Sequence, residues 1–246
     1  MSLDLFRLDG KVALVTGATH GLGMAMARGL GRAGATVVVN GPSSQDRVAR
    51  AVAVYEADGS RAHGYLFDVT DPEAVRQSVE RIEREVGPID VLVNNAAVIE
   101  RTPLLDMTVD AWKRVVETDL TGVFVMSQPV VRGMSERGGG KVINICSMMS
   151  ELGRDSVGAY AAAKGGLKML TQSMATEWAR HNIQVNGIGP GYFATAQPAP
   201  IRTDGHPDDL AGAAVFLASA ASDFVNGHVL YVDGGILATI GRPQEA

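Results

Sequence analysis

Seven short apolar runs rich in β-branched residues recur along the chain, and longer stretches of helical spacing separate them. The runs fall at 12–15, 36–39, 62–67, 91–93, 142–145, 183–185 and 229–232. The helical stretches lie at 22–33, 44–58, 72–86, 108–136, 158–181 and 207–220. Within a run, polar residues do not alternate regularly with apolar ones, which suits strands covered on both faces. Strands alternating with helices form a parallel sheet with right-handed crossovers. The expected fold is α/β, a single-domain doubly wound sheet of about seven parallel strands with helices on both faces, filling residues 1–246. No linker, repeat or low-complexity stretch divides it. Glycine, at 29 of 246 residues, exceeds its ~7% average. The excess has no Gly-x-y period and belongs at turns and close backbone contacts.

Charge and cysteine usage narrow the function. Lys and Arg total 22 against 27 Asp and Glu, a net charge of -5. That balance argues against nucleic acid or an anionic membrane as partner. No run of about 18 apolar residues spans a membrane. Cys146 is the only cysteine, so the chain has neither an internal disulfide nor a cysteine metal cluster. A reducing, cytoplasmic setting is expected. The five histidines show no ligand spacing and no Gly-x-Ser-x-Gly elbow occurs, so neither a metal site nor an α/β-hydrolase is expected.

Ligands in doubly wound sheets bind beyond the carboxyl ends of the strands. After the first run comes Thr16-Gly17-Ala18-Thr19-His20-Gly21-Leu22-Gly23, which opens a helix. Glycines let the backbone approach a pyrophosphate, and the helix N-terminus supplies amide donors. The Gly-x-x-x-Gly-x-Gly spacing is weak alone, since a structural turn looks similar. Its place between a strand and a helix makes it a candidate nucleotide loop. Asn40 stands 23 residues beyond Gly17, near the ~20-residue offset of the acid that binds a ribose 2′-hydroxyl. The segment Asn40-Gly41-Pro42-Ser43-Ser44 has no carboxylate before Asp46, so nothing repels a 2′-phosphate. Ser43, Ser44 and Arg47 are candidate phosphate ligands, while Ser44 equally suits a helix cap. NADP is favoured, with NAD as the alternative.

Tyr160 and Lys164 are four apart in a helical stretch and share one face. Ser147 precedes Tyr160 by 13 residues and directly follows an apolar run. Oxidising a secondary alcohol needs a base for its hydroxyl proton. A phenol ionises near pH 10, leaving about one in a thousand ionised at neutrality, a deficit of ~4 kcal/mol. A neighbouring ammonium, helped by a positive nicotinamide, recovers ~1–3 units. Ser147 can hydrogen-bond the reacting oxygen. A Tyr-x-x-x-Lys pair is common by chance; joined to the glycine loop and to Ser147, it reads as an alcohol/ketone oxidoreductase.

These residues resemble the short-chain dehydrogenase/reductase family, and the resemblance covers almost the whole chain. It implies a Rossmann sheet with Ser147, Tyr160 and Lys164 catalytic and Lys164 on the nicotinamide ribose. Phe67-Asp68-Val69 resembles the family's adenine-side segment, placing Asp68 and Val69 at the cofactor. Asn94-Asn95-Ala96-Ala97 is similar to its Asn-Asn-Ala-Gly, which brings in Asn95, Ala96 and Ala97. Pro190-Gly191-Tyr192-Phe193-Ala194-Thr195 resembles its nicotinamide side, implying Pro190, Gly191, Phe193 and Thr195. With the loop residues Gly17, Thr19, His20, Gly21, Leu22 and Gly23, and with Asn40, Gly41 and Ser43, this is the expected cofactor site. The ending 227–235 resembles the last strand and the tetramer contact, implying a homotetramer. The segment Ile143-Asn144-Ile145-Cys146-Ser147-Met148-Met149-Ser150-Glu151-Leu152-Gly153-Arg154 is similar to the gluconate 5-dehydrogenase branch. That branch implies D-gluconate and 5-keto-D-gluconate as substrates. A sugar acid needs a cation for its carboxylate, and Arg101 and Arg154 are the candidates beside Ser147 and Tyr160.

The pattern breaks at two places. Asp119 stands where the family commonly has a catalytic Asn that holds a water. It is expected as a catalytic member of the proton relay whose added charge could draw Lys164 into an ion pair; the alternative is a helix residue with only a structural hydrogen bond. Residues 196–209 are short for a substrate lid, which is either abbreviated or missing residues from the chain as written. Two other readings rest on the same fold: a non-catalytic cofactor-binding sensor and a reductase of acyl-carrier thioesters.

Overall fold

The computed structural model describes residues 3–193 and 205–238. The seven expected strands all form: β1 (Val12–Val15), β2 (Thr36–Gly41), β3 (Ala62–Leu66), β4 (Val91–Asn94), β5 (Gly140–Ile145), β6 (Ile183–Pro190) and β7 (Val229–Val232). They make one parallel sheet in the order β3-β2-β1-β4-β5-β6-β7. Val15 of β1 pairs with Val39 on one side and Val93 on the other. Between β1 and β4 the strand order reverses, which opens a crevice beyond the strand ends.

Successive side chains on a strand point to opposite faces, and the core obeys that parity. Ala13 and Val15, with Val37, Val39, Val91 and Val93, pack against α1 (Gly21–Arg32) and α2 (Gln45–Ala57). Val12, Leu14, Val38 and Leu92 face the other way, onto Val75, Val79 and Ile82 of α3 (Pro72–Glu85). Both faces are dry, which is why the runs carry no polar alternation. The last helix, α7 (Asp209–Ala218), joins the first face. There a Cβ on Gly29 of α1 would stand 2.7 Å from that of Ala211, so glycine sets the close approach.

The helical stretch expected at 108–136 is not one helix. It is α4 (Val109–Val116), a π turn (Glu117–Thr121) and α5 (Gly122–Arg137). Such one-turn widenings often sit at functional sites, and this one carries Asp119. The sixth strand runs five residues beyond the expected 183–185. Gly187 and Gly189 interrupt its apolar pattern because Cβ atoms there would meet Val229 Cγ2 at 2.9 Å and Tyr231 Cδ1 at 2.3 Å. The stretch at 158–181 forms α6 (Gly158–Trp178) and a short turn. Thr195 and residues 196–204 of the expected lid lie outside the described residues.

Candidate active site

The carboxyl ends of β1, β2, β4, β5 and β6 meet at one cleft of about 620 Å³. On its floor, Gly17 and Gly21 adopt φ of 63° and 59°, which glycine reaches without a Cβ penalty. A Cβ on Gly17 would stand 2.9 Å from Ala96 Cα, and one on Gly23 would stand 2.3 Å from Asn95 Nδ2. Nothing lies within 4 Å of a Cβ at Gly21, so that side of the loop faces open space. His20 precedes α1 in extended conformation and makes no side-chain cap bond. The helix start therefore keeps its amide donors for a ligand. Thr19, His20, Leu22 and Gly23 line the cleft with Gly17 and Gly21. This is a cradle that fits a dinucleotide pyrophosphate.

Buried amides brace the cradle. Asn95 Nδ2 donates to Thr16 O at 2.8 Å and to Gly17 O at 3.1 Å, and Thr16 Oγ1 accepts the Asn95 and Ala96 amides at 2.9 and 3.0 Å. Asn40 does similar work. Its Nδ2 donates to Phe67 O at 2.7 Å, and its Oδ1 accepts the Gly17 amide at 3.3 Å. Asn40 borders the cleft, and one amide hydrogen and one oxygen lone pair of its side chain are used in holding the loop. Substituting Asn40→Leu leaves two buried polar groups unpaired, so stability should fall by about 2 kcal/mol. A chemical-denaturation midpoint measures this, and an unchanged midpoint would remove the bracing role.

The expected phosphate segment is only partly at the cleft. Pro42 lines it, whereas Gly41 and Ser43 do not. Gly41 is wedged between Thr19 Cγ2 and Val48 Cγ2, and Ser43 lies on the exposed turn beyond. Ser44 accepts the Arg47 amide at 3.3 Å and caps α2. Asp68 and Val69 line the cleft, and Asn95, Ala96 and Ala97 continue the lining with Pro190, Gly191 and Phe193.

Ser147, Tyr160 and Lys164 share this cleft. Ser147 lies two residues beyond the end of β5 and caps a short turn; its Oγ accepts the Met149 amide at 3.1 Å. One lone pair is used, and the hydroxyl proton stays available for a ligand oxygen. Ser150 joins this turn to α6: its Oγ accepts the Ser147 amide at 3.3 Å and donates to Lys164 O at 2.8 Å. Tyr160 is half-buried, and its hydroxyl has no hydrogen-bond partner among the described residues. Lys164 Nζ lies 5.5 Å from the Tyr160 ring centre and donates to Ile145 O at 2.8 Å. Burial pulls the Lys164 ammonium down, but Tyr160 and Asp119 outweigh it and hold the group above its ordinary value. Asp119 does not line the cleft. It is fully buried in the π turn, 3.5 Å from Lys164 Nζ.

A polar ladder fixes these parts together. Asn94 Nδ2 donates to Ser127 Oγ and Asn144 Oδ1 at 3.1 and 2.9 Å, and Asn144 Nδ2 donates to Thr171 Oγ1 at 2.9 Å. The ladder runs from α5 through β4 and β5 to α6.

Both expected arginines reach the cleft. Arg154 Nη1 donates to Tyr192 OH at 2.9 Å, with its guanidinium carbon 5.4 Å from that ring's centre. Arg101 is exposed and has no ion-pair partner among the described residues. Sequence reasoning missed Tyr192 and Thr118 as lining residues, while the pair Met148–Met149, expected in the core or the pocket lining, is buried and lines the cleft. Tyr192 sits inside the Pro190–Thr195 segment, so its position signalled it. Thr118 had no signal, because the π turn that presents it is invisible in the pattern.

Comparison with known proteins agrees with this geometry. The family model for short chain dehydrogenase matches residues 11–205. The chain is 66% identical, over 261 positions, to a 2-dehydro-3-deoxy-D-gluconate 5-dehydrogenase of Formosa agariphila, covering 99% of each. It is 47% identical over 253 positions to a 5-keto-D-gluconate 5-reductase of Escherichia coli, covering 96% of this chain and 99% of the relative. A solved gluconate 5-dehydrogenase from Burkholderia cenocepacia, in complex with NADP and tartrate, superposes with a TM-score of 0.93 at 43% identity. That match covers 98% of this chain and 100% of the other.

Proposed function

Because the chain belongs to the short-chain dehydrogenase family, we propose that it transfers hydride between NADP(H) and C5 of a six-carbon sugar acid. D-Gluconate and 5-keto-D-gluconate are the substrate pair of this reading. The observation that supports it is the company the catalytic groups keep. Arg101 and Arg154 line the same cleft as Ser147, Tyr160 and Lys164, and among the described residues Asp68 is the only carboxylate lining it.

NADP, when bound, accepts or returns the hydride at its nicotinamide. This chain's residues do the rest. The glycine cradle and the open start of α1 hold the pyrophosphate. The end of β2 presents no carboxylate to repel a 2′-phosphate. Ser147 donates its hydroxyl proton to the reacting oxygen. Tyr160 takes the alcohol proton in oxidation and returns it in reduction. Lys164, fixed by Ile145 O, supports the phenolate and reaches the nicotinamide ribose. A guanidinium binds the substrate carboxylate, bidentately where geometry allows.

The identity of 66% to a 2-dehydro-3-deoxy-D-gluconate 5-dehydrogenase favours a second substrate reading, the 3-deoxy-2-keto acid oxidised at the same carbon. Both acids, each with NADP and with NAD, are assayed by nicotinamide absorbance. The acid with the higher kcat/KM is the substrate; turnover of neither sinks the sugar-acid reading. Arg101→Ala should raise KM about thirtyfold with kcat little changed, the loss of roughly 2 kcal/mol from a charge-assisted contact. Unchanged KM in both Arg101→Ala and Arg154→Ala would remove the carboxylate role.

We also propose a cytoplasmic homotetramer. Leu105, Val109, Phe124 and Met169 are large apolar side chains left exposed in one chain, which suits burial between copies. Light scattering reads the assembly size directly.

A further inference from the structure

Asp119 is the one carboxylate in this protein that is fully withdrawn from water, at least among the described residues. Two donors face it. Its Oδ1 accepts the Val98 amide at 2.8 Å, and its Oδ2 looks at the Lys164 ammonium from 3.5 Å without a hydrogen bond. The π turn Glu117–Thr121 swings Asp119 inward while presenting Thr118 to the cleft. Burying one charge alone is costly, whereas a lysine and a carboxylate buried together offset each other. We propose that Asp119 is the counter-ion of Lys164, a positioning residue whose buried charge sets the pH range over which the Tyr160 proton is moved. This rests on the dehydrogenase reading for its effect on rate but not for the ion pair itself.

The groups around the pair are few. From α6 come Lys164 and Tyr160. From the end of β5 come the Ile145 carbonyl, which also holds Lys164, and the Cys146 thiol, which burial pushes up. From the loop after β4 comes only the Val98 amide; Glu100 on that loop is taken by Arg114. On the π turn itself Glu117 is exposed. Burial pushes the Asp119 carboxyl up, and Lys164 together with the Val98 amide pulls it back. Among the described residues no other carboxylate competes for the lysine.

The sign follows. A negative charge beside Lys164 strengthens the ammonium and opposes a phenolate nearby. Asp119→Asn keeps the shape and the acceptor for Val98 but removes the charge. Three measurements decide. In alcohol oxidation, the rising limb of log kcat/KM against pH should move about one unit lower in Asp119→Asn, while Asp119→Glu keeps the wild-type position. In the full-length protein without cofactor, the ε-carbon NMR titration of Lys164, assigned with Lys164→Arg, should likewise move lower in Asp119→Asn. In the wild-type chain labelled with carboxyl-¹³C aspartate, infrared spectra at neutral pH should lack the band of a buried protonated carboxyl. A lysine titration that stays put, or that infrared band, would overturn the ion pair whatever the enzyme's substrate. An unmoved pH profile with a moved lysine titration would overturn the link to catalysis. The infrared test needs no variant, so it stands even if Asp119→Asn fails to fold.

Discussion

Replacing Tyr160 with phenylalanine should lower kcat about a thousandfold while leaving cofactor affinity within a factor of two or three. In the proposed mechanism the phenol moves the alcohol proton: among the described residues its hydroxyl has no hydrogen-bond partner, while Lys164 is tied to Ile145 O. General acid–base catalysis contributes about 10²–10⁴ in rate, so a thousandfold loss is ~4 kcal/mol of transition-state stabilisation. The ring itself is kept. Tyr160 packs with Val115, Ala159 and Ala163 and against Met148, Met149 and Val157, so the fold should not notice the missing oxygen. Nicotinamide fluorescence titration gives the affinity and a steady-state assay gives the rate. Near-normal turnover would remove the phenol from the chemistry.

The second large effect belongs to Gly23. Alanine in a helix interior normally stabilises by up to ~1 kcal/mol over glycine, and Gly23 is in the first turn of α1. Here the added Cβ would meet Asn95 Nδ2 at 2.3 Å and Gly17 O at 2.7 Å. Neither neighbour yields easily. The amide is held by two carbonyls and the oxygen is backbone in the cradle. Overpacking of this kind costs ~1–3 kcal/mol, so it outweighs the helix preference. Gly23→Ala should lower the melting temperature and weaken NADP binding at least tenfold, read by thermal unfolding with and without cofactor. A stabilised variant with full affinity would mean that the loop relaxes freely.

The sequence carried much of the fold and part of the site. Strands were legible because both faces of the sheet are covered, so each run is apolar without alternation. The glycine loop was legible because its glycines are demanded by backbone conformation and by close approach. The bracing role of Asn40 was not legible: position along the chain points to the ribose, but a side-chain amide serves a ligand or a neighbouring backbone equally well. Only its partners, Phe67 O and the Gly17 amide, decide. The π turn was illegible because one extra residue in a helix leaves the local hydrophobic spacing almost intact. Asp119 was flagged by its residue type, and its geometry chose the lysine over the cleft.

The bonds that shape the nucleotide loop cross long stretches of chain: Thr16 is held by Asn95, 79 residues later. A nascent chain still lacking its fourth strand thus has the glycines and the Asn40 brace but none of the Asn95 bonds. Synthesis must pass that strand before the loop is braced from both sides, so bound ligand stabilises most a chain that has already threaded both sides of the sheet.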